Sequence, residues 1–459
     1  MTTELVEEKV RETLHAVVLD GVRAPDDLAA RVLRRRARRR VRQMALAAAA
    51  VAVVILASLS GLGTYRDGGQ ERTDRPATVP DGWHPWSIDS DRTAGNGCVL
   101  NGDDLYCKGY RYDAVKFDAR TGEQQWTLKV HGEGGAQIGR PLAVRDGVLF
   151  IYRNHTAEKG PDGGYRPGTD LVGVDTGTGR VLWSFEMYDD NRSDERAMLI
   201  DGAVLVNTPG RVWSALDPRT GEKKWSRTWE KGLWCQGSVL DGTPYLLCTR
   251  ERDRKDDTDV YRLDAATGVA EKVATVPGKQ HVAGTTPDAL VLAALGAPPE
   301  PGSDAPWDTT YTTVDAAGKQ TGHKVRMPGP MHGIGVIGDD LVTLSEKGVA
   351  SAVSLTTGET RWSVPTGIKL PESGFAYAPA IGYRLIAAHD DVVYFFSATG
   401  DLAGHDARTG EQLWRHHVDT KWPSDGVRDL SMPQLLTYGD VLIAREGAMV
   451  HSLLPDLGK

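Results

Sequence analysis

One phrase recurs along most of the chain: a hydrophobic strand, an Asp, two small or polar residues, Thr-Gly, then a strand carrying Trp. It reads KFDARTGEQQW at 116–126, GVDTGTGRVLW at 173–183 and ALDPRTGEKKW at 215–225. It returns as RLDAATG at 262–268, SLTTGETRW at 354–362 and GHDARTGEQLW at 404–414, with a degenerate copy, TVDAAGK, at 313–319. A phrase repeated roughly every forty to sixty residues excludes one ordinary globular core and requires an array of similar units.

A hairpin signal lies upstream of each phrase. The turns fall at 101–104, 145–147, 201–202, 241–242, 338–340, 389–391 and 439–440, with a weaker one at 287–290. Apolar or alternating runs flank them, as in PLAVRDGVLFIY and AMLIDGAVLVNT. Asp-Gly between such runs marks a tight β-hairpin, because Gly takes positive φ at little cost. Each unit therefore reads as four antiparallel strands. Units of this kind, repeated seven or eight times, are propeller blades. Seven turn phrases follow hairpins, and an eighth hairpin at 433–446 leads into AMVHSLL at 448–454, one strand short. The segment GWHPWSI at 82–88 is expected to lend that strand and close the ring. The expectation is an all-β, eight-bladed propeller, with seven blades as the alternative because the fourth and fifth units are poorly formed. No amphipathic helices intervene, which excludes a (β/α)8 barrel.

The repeated residues have structural duties. The Asp accepts hydrogen bonds from turn amides, and the Gly supplies the turn dihedral. Trp126, Trp183, Trp225, Trp362 and Trp414 are expected to wedge between neighbouring blades. A ring of such Trp residues is not evidence of base stacking, and the acidic balance, net −8, also argues against a nucleic-acid partner.

The chain divides into a short basic segment at 1–43, an apolar run at 44–65, a polar spacer at 66–80 and the propeller at 81–459. From Gln43 to Tyr65 there is no charged residue, and about twenty apolar residues suffice to cross the hydrocarbon layer. RRRARRRVR at 34–42 precedes the run. The positive-inside rule then keeps the N-terminus cytoplasmic and places the propeller outside a single-pass membrane anchor. The Arg cluster reads as a topology signal touching anionic lipid rather than as a DNA contact.

The four cysteines fit an exterior location. Cys98 and Cys107 are equidistant from the turn at Gly102–Asp103, and Cys235 and Cys248 from the turn at Asp241–Gly242. Opposed hairpin positions bring the Cβ atoms near disulfide distance, so bonds Cys98–Cys107 and Cys235–Cys248 are expected. Disulfides imply an oxidising compartment. A zinc site is a poor rival, since the pairs fall on separate blades.

The units resemble the quinoprotein-type propeller repeat over about residues 90–454, through Asp-x-x-Thr-Gly and the Trp strand. That superfamily includes pyrroloquinoline quinone (PQQ) alcohol dehydrogenases, a non-catalytic outer-membrane assembly scaffold, and actinobacterial membrane-anchored propellers. The Ala/Arg-rich N-terminus with one span is most similar to the last group. The dehydrogenases hold PQQ over a Trp with adjacent cysteines, Ca²⁺ and a catalytic Asp. Here no Cys-Cys pair occurs, and Asp118, Asp175, Asp217, Asp264 and Asp406 belong to turns. No catalytic, cofactor or metal residue is therefore assigned, and no cofactor is expected.

Two oxygen-rich loops are candidate Ca²⁺ ligands: Asp189, Asp190, Asn191 and Asp194, and Asp253, Asp256, Asp257 and Asp259. Neither has EF-hand spacing, so solvated loops are the plainer account. His155, His332, His405, His416 and His417 show no metal-ligand pattern, and neither a nucleophile elbow nor a phosphate loop occurs. The sequons at 154–156 and 191–193 matter only in a host that glycosylates. The leading expectation is a membrane-anchored binding or scaffold module for a protein, peptide or envelope ligand. The expected contacts are loops 153–170, 186–197, 250–259, 294–310 and 418–431, with Trp307 and Trp422 as aromatic anchors. The alternatives are a PQQ-dependent or other small-ligand oxidoreductase, and a transmembrane sensor subunit.

Overall fold

The computed structural model describes residues 86–89, 97–109, 112–129, 141–155, 168–187, 197–208, 212–230, 232–250, 256–295, 307–327, 331–370, 386–389, 391–397, 399–418, 434–438, 441–446 and 449–453. The segments 1–43, 44–65 and 66–80 lie outside them, as do the side chains of Trp307, His155 and His332 and the whole of Trp422. Among the described residues the chain forms eight antiparallel sheets of four strands each. Blade 1 is representative. Its strands, from the axis outward, are Cys98–Asn101, Asp104–Cys107, Tyr112–Asp118 and Gln124–Lys129. Blades 2 to 7 repeat this order through 143–186, 198–228, 233–276, 281–327, 331–365 and 386–417.

Blade 8 settles the blade number. Its first three strands are Gln434–Tyr438, Val441–Glu446 and Met449–Leu453, and its outer strand is Ser87–Asp89. Ser87 pairs with His451 and Asp89 with Met449, so the segment before blade 1 completes the last sheet, as expected. A second clasp sits at the axis. The Gln434 amide accepts from Cys98 N–H at 2.9 Å and donates to Cys98 C=O at 3.0 Å, joining blade 8 to blade 1.

The core is divided in the same way. Eight clusters of buried apolar side chains each straddle two consecutive blades, from blades 1 and 2 (Tyr106, Leu149, Val172) round to blades 8 and 1 (Ile443, Val450, Leu105). Middle strands are apolar on both faces because each blade is sandwiched, whereas outer strands alternate exposed and half-buried. The driving force is burial between blades, so no blade is a core by itself.

The turn phrase explains its own conservation of form along the chain. In blade 1, Asp118 Oδ1 accepts the amides of Arg120 and Thr121 at 2.9 Å each. Gly122 N–H bonds Asp118 C=O, with Gly122 at φ 73°. One residue more than a tight turn needs leaves a bulge between the third and outer strands, as in blades 1, 2, 3, 4, 6 and 7. Blade 5 lacks the Thr. There Gly318 N–H bonds Asp315 C=O three residues back, and Thr313 and Val314 continue in register with Thr321 and Gln320 without a bulge. Blade 6 has Ser354 for Asp, and its Oγ accepts the same two amides at 3.3 and 3.2 Å.

Candidate interaction face

Antiparallel order within each blade sorts every connection to one of two faces. Hairpins between the first and second strands, and Asp-x-x-Thr-Gly turns between the third and outer strands, share one face, the turn face. Connections between second and third strands, and those leading to the next blade, share the other, the loop face. The five sequence-predicted contact loops all join strand ends on the loop face. Their interiors, with Asp189, Asp190, Asn191, Asp194 and Asp253, lie outside the described residues.

The turn face is locked by internal bonds. Turn amides donate to hairpin carbonyls, Ala119 to Asp103 at 2.7 Å and Ala407 to Asp391 at 2.7 Å. Arg120 and Arg408 pair with Asp103 and Asp391 at 2.9 and 2.8 Å. Hydrogen bonds from turn groups hold the Asp175 and Asp264 carboxyls below the usual range, led by the Thr178 and Thr267 hydroxyls. These carboxylates serve the turn.

The wedge tryptophans complete that face. Trp126, Trp183, Trp225 and Trp362 donate their indole N–H groups to Thr176, Pro218, Ala265 and Ala407 of the following blade at 2.9, 3.0, 2.8 and 2.9 Å. Trp86 does the same to Ala119 at 3.0 Å. The sequence analysis gives it no wedge role within GWHPWSI. The signal was available, since Trp86 immediately precedes a strand pairing as an outer strand. In blade 5 His323 takes the wedge place, its Nε2 2.9 Å from Thr356 C=O.

Among the described residues, the exposed large aromatic on the loop face is Trp234, which the sequence analysis does not name. Trp234 lies near the start of the innermost strand of blade 4 (Leu233–Leu240) and is 44% exposed. Lys279, on the connection to blade 5, places its ammonium 5.4 Å from the Trp234 ring centroid, a cation–π arrangement. On the connection leading into blade 4, Trp229 stacks edge-on against Tyr261 at 5.2 Å and carries the Arg227 guanidinium at 5.5 Å. Burial, and then Lys279, depress the pKa of His281 at the same rim. Trp234 precedes the Cys235 hairpin position and falls outside the repeat phrase, which is the signal that marks it.

Two charged clusters brace this face. Between blades 1 and 2, Arg153 Nε meets Asp113 Oδ2 at 2.7 Å, and Lys108 donates to Tyr152 C=O. Lys108 and Asp113 are fully buried, and burial pushes the Lys108 ammonium down to about 8. In blade 7, Asp401 accepts from Lys369 N–H at 2.7 Å, Arg415 at 3.1 Å and His417 Nδ1 at 2.9 Å. Burial opposes its ionisation, but these three donors outweigh it and hold the carboxyl low.

The remaining sequence candidates have partners within their own blades or lie at the surface. Asp257 accepts Gly278 N–H at 3.0 Å, and Asp259 binds Lys272 at 2.7 Å. Asp256 is half-buried in the same loop. His405 is buried with Nδ1 2.9 Å from Gly410 C=O, while His416 is exposed. Among the described residues no group of three or more His, Cys, Asp or Glu is placed to hold a metal. The disulfides are Cys98–Cys107 and Cys235–Cys248, as expected from the turn centres. These cysteines are not adjacent pairs, and five wedge indoles are committed to neighbouring turns. The residues present therefore do not fit PQQ in the manner of the quinone dehydrogenases.

This geometry defines an eight-bladed propeller with a locked turn face and a variable loop face. The family model described as Outer membrane protein assembly factor BamB (PQQ_2) matches residues 73–233, 111–286 and 304–455, and the chain belongs to that family. No curated protein matches the chain. Among solved structures, the computationally designed Ika8 protein is similar at 12% identity and TM-score 0.53, covering 80% of this chain and 98% of its own. BamB from Moraxella catarrhalis has 14% identity and TM-score 0.47, covering 81% and 98%. AztD from Citrobacter koseri has 12% identity and TM-score 0.39, covering 69% and 95%.

Proposed function

We propose that the protein is a membrane-anchored, extracytoplasmic and non-catalytic binding module that engages a protein segment through its loop face. The observation that carries this reading is the segregation of connections. Tight, self-satisfied turns occupy one face, and every long connection, together with exposed Trp234, occupies the other. A rigid ring that presents variable loops on one side suits recognition. The family's description as an assembly factor for outer membrane proteins supports a protein partner over a small substrate.

The uncharged run at 44–65 behind an Arg cluster supports a single span with a cytoplasmic N-terminus. Two disulfides support an oxidising compartment. Trp86 and Ser87–Asp89 enter the ring from the turn face.

The test uses the full-length protein. Crosslinking on intact cells is expected to capture one reproducible partner, with recovery reduced at least several-fold by Trp234→Ser while the thermal midpoint is unchanged. Addition of PQQ and Ca²⁺ to the detergent-solubilised protein is expected to give neither stoichiometric uptake nor dye reduction. Turnover in that assay would overturn the non-catalytic reading.

A further inference from the structure

Each blade ends in an outer strand that has a neighbour on one side only. Such an edge is a template for further pairing, and proteins blunt it with cations, proline or brevity. Blades 1, 3, 4, 5, 6 and 7 carry Lys129, Lys224, Lys272, Lys324, Arg361 and Arg415 on that strand. Blade 8 offers only three residues there, Ser87–Asp89. Blade 2 has none of these safeguards. Its outer strand, Val181–Glu186, reads VLWSFE, with neither a cation nor a proline. Val181 is 39% exposed and Leu182 43% exposed. In the place of Leu182, just before the wedge Trp, blades 3 and 6 have Lys224 and Arg361, each paired with an Asp of its own blade.

Backbone phase shows which groups this edge offers. Met187 N–H bonds Thr169 C=O at 2.8 Å, and Glu186 stands opposite Asp170, Phe185 opposite Leu171 and Trp183 opposite Gly173. Bonded and non-bonded pairs alternate in an antiparallel ladder, so Trp183 and Phe185 turn their backbone groups inward. Ser184 and Glu186 turn theirs to the free edge. The charges at the two ends are opposite and unspent. Exposed Arg180 lies just before the strand and exposed Glu186 at its end, and neither has an ion pair among the described residues. Glu186 also faces the like charge of Asp170 across the sheet, a juxtaposition that an incoming cation would relieve.

We propose that the outer edge of blade 2 is an interface between two copies of this chain, paired antiparallel about a two-fold axis at Trp183. Leu182 of one copy opposes Ser184 of the other, and Val181 opposes Phe185. Arg180 then meets Glu186 at both ends of the pair, because a two-fold contact repeats every match. The other register that joins outward-facing backbone groups sets Ser184 against Ser184. It places Glu186 against Leu182 and leaves both charges unmatched. Charge complementarity therefore selects the partner and the register together. Two four-stranded blades become one sheet of eight strands. One strand pair is smaller than a standard interface, so the contact belongs to copies held at high local density. It does not depend on what the loop face binds.

The test uses two full-length proteins, one with Leu182→Cys and one with Ser184→Cys, differently tagged, co-expressed and oxidised in intact cells. All four native cysteines are spent in the two disulfides, so each added thiol has no partner in its own chain. A mixed-tag disulfide dimer is expected, at a yield several-fold above that of Gln125→Cys with Thr127→Cys, the same two places on blade 1. All these positions are exposed. Adding Arg180→Glu to both copies is expected to cut the yield several-fold, and adding Glu186→Arg as well is expected to restore it. A yield no higher than that of blade 1, or one indifferent to Arg180→Glu, would overturn the proposal.

Discussion

An indole N–H and a glycine form the smallest joint of this ring. Trp183 spans the gap to Pro218, and Gly221 beneath it sits at φ 71° with no room for a Cβ, which would fall 2.7 Å from the Trp183 ring. Gly221→Val combines backbone strain with a clash, and is expected to cost about 2–4 kcal/mol in urea unfolding. Lys108 makes a pH prediction. Burial lowers its pKa from 10.5 to about 8 in the folded chain, so between these values the unfolded chain binds more protons. Stability attributable to Lys108 therefore rises with pH from about 8 toward the ordinary lysine value. Measured against Lys108→Met, the wild type is expected to gain about 2 kcal/mol between pH 7.5 and 10. A flat difference would contradict an ammonium whose burial outweighs the nearby Asp113 charge. At this scale the roles of Asp118, Gly122 and Trp126 were legible in the repeat. The burial of Lys108 was not, because it depends on Tyr152 and Asp113 being carried onto it by the packing of blades 1 and 2.

Hairpins were the most legible elements. Cys98–Cys107 and Cys235–Cys248 followed from counting outward from two turns, because pairing in an antiparallel hairpin is set by the turn. Each bond closes a short loop, so replacing one pair with Ser is expected to cost about 2–3 kcal/mol, read as a lower midpoint in urea. The register of blade 5 was not legible. One missing Thr in TVDAAGK converts a bulged turn into an unbulged one, and only the pairing of Val314 with Gln320 reveals it. Trp234 stands outside the repeat phrase, but its 44% exposure was not legible, since burial is set by how blades 4 and 5 pack. Trp307 and Trp422, read as anchors from their position outside the repeat, lie where no side chain is described.

The ring as a whole depends on borrowed pieces. Eight inter-blade cores form a closed cycle, and blade 8 draws its outer strand from residues before blade 1. A chain beginning at residue 81 is expected to keep the thermal midpoint of the full ring. One beginning at residue 90, which lacks Trp86 and Ser87–Asp89, is expected to lose several degrees. Ring closure was legible because the eighth hairpin lacked its fourth strand. The sorting of loops to one face follows from the same strand count, but its partner does not, since recognition resides in side chains that no repeat specifies. The most direct test of the loop face as the working surface is site-specific photo-crosslinking in intact cells. A photoreactive amino acid would replace Trp234 on the loop face or Glu222 on the turn face of otherwise identical full-length proteins. The account predicts a discrete protein adduct from position 234 and none from 222. Adducts from 222 with none from 234 would contradict it.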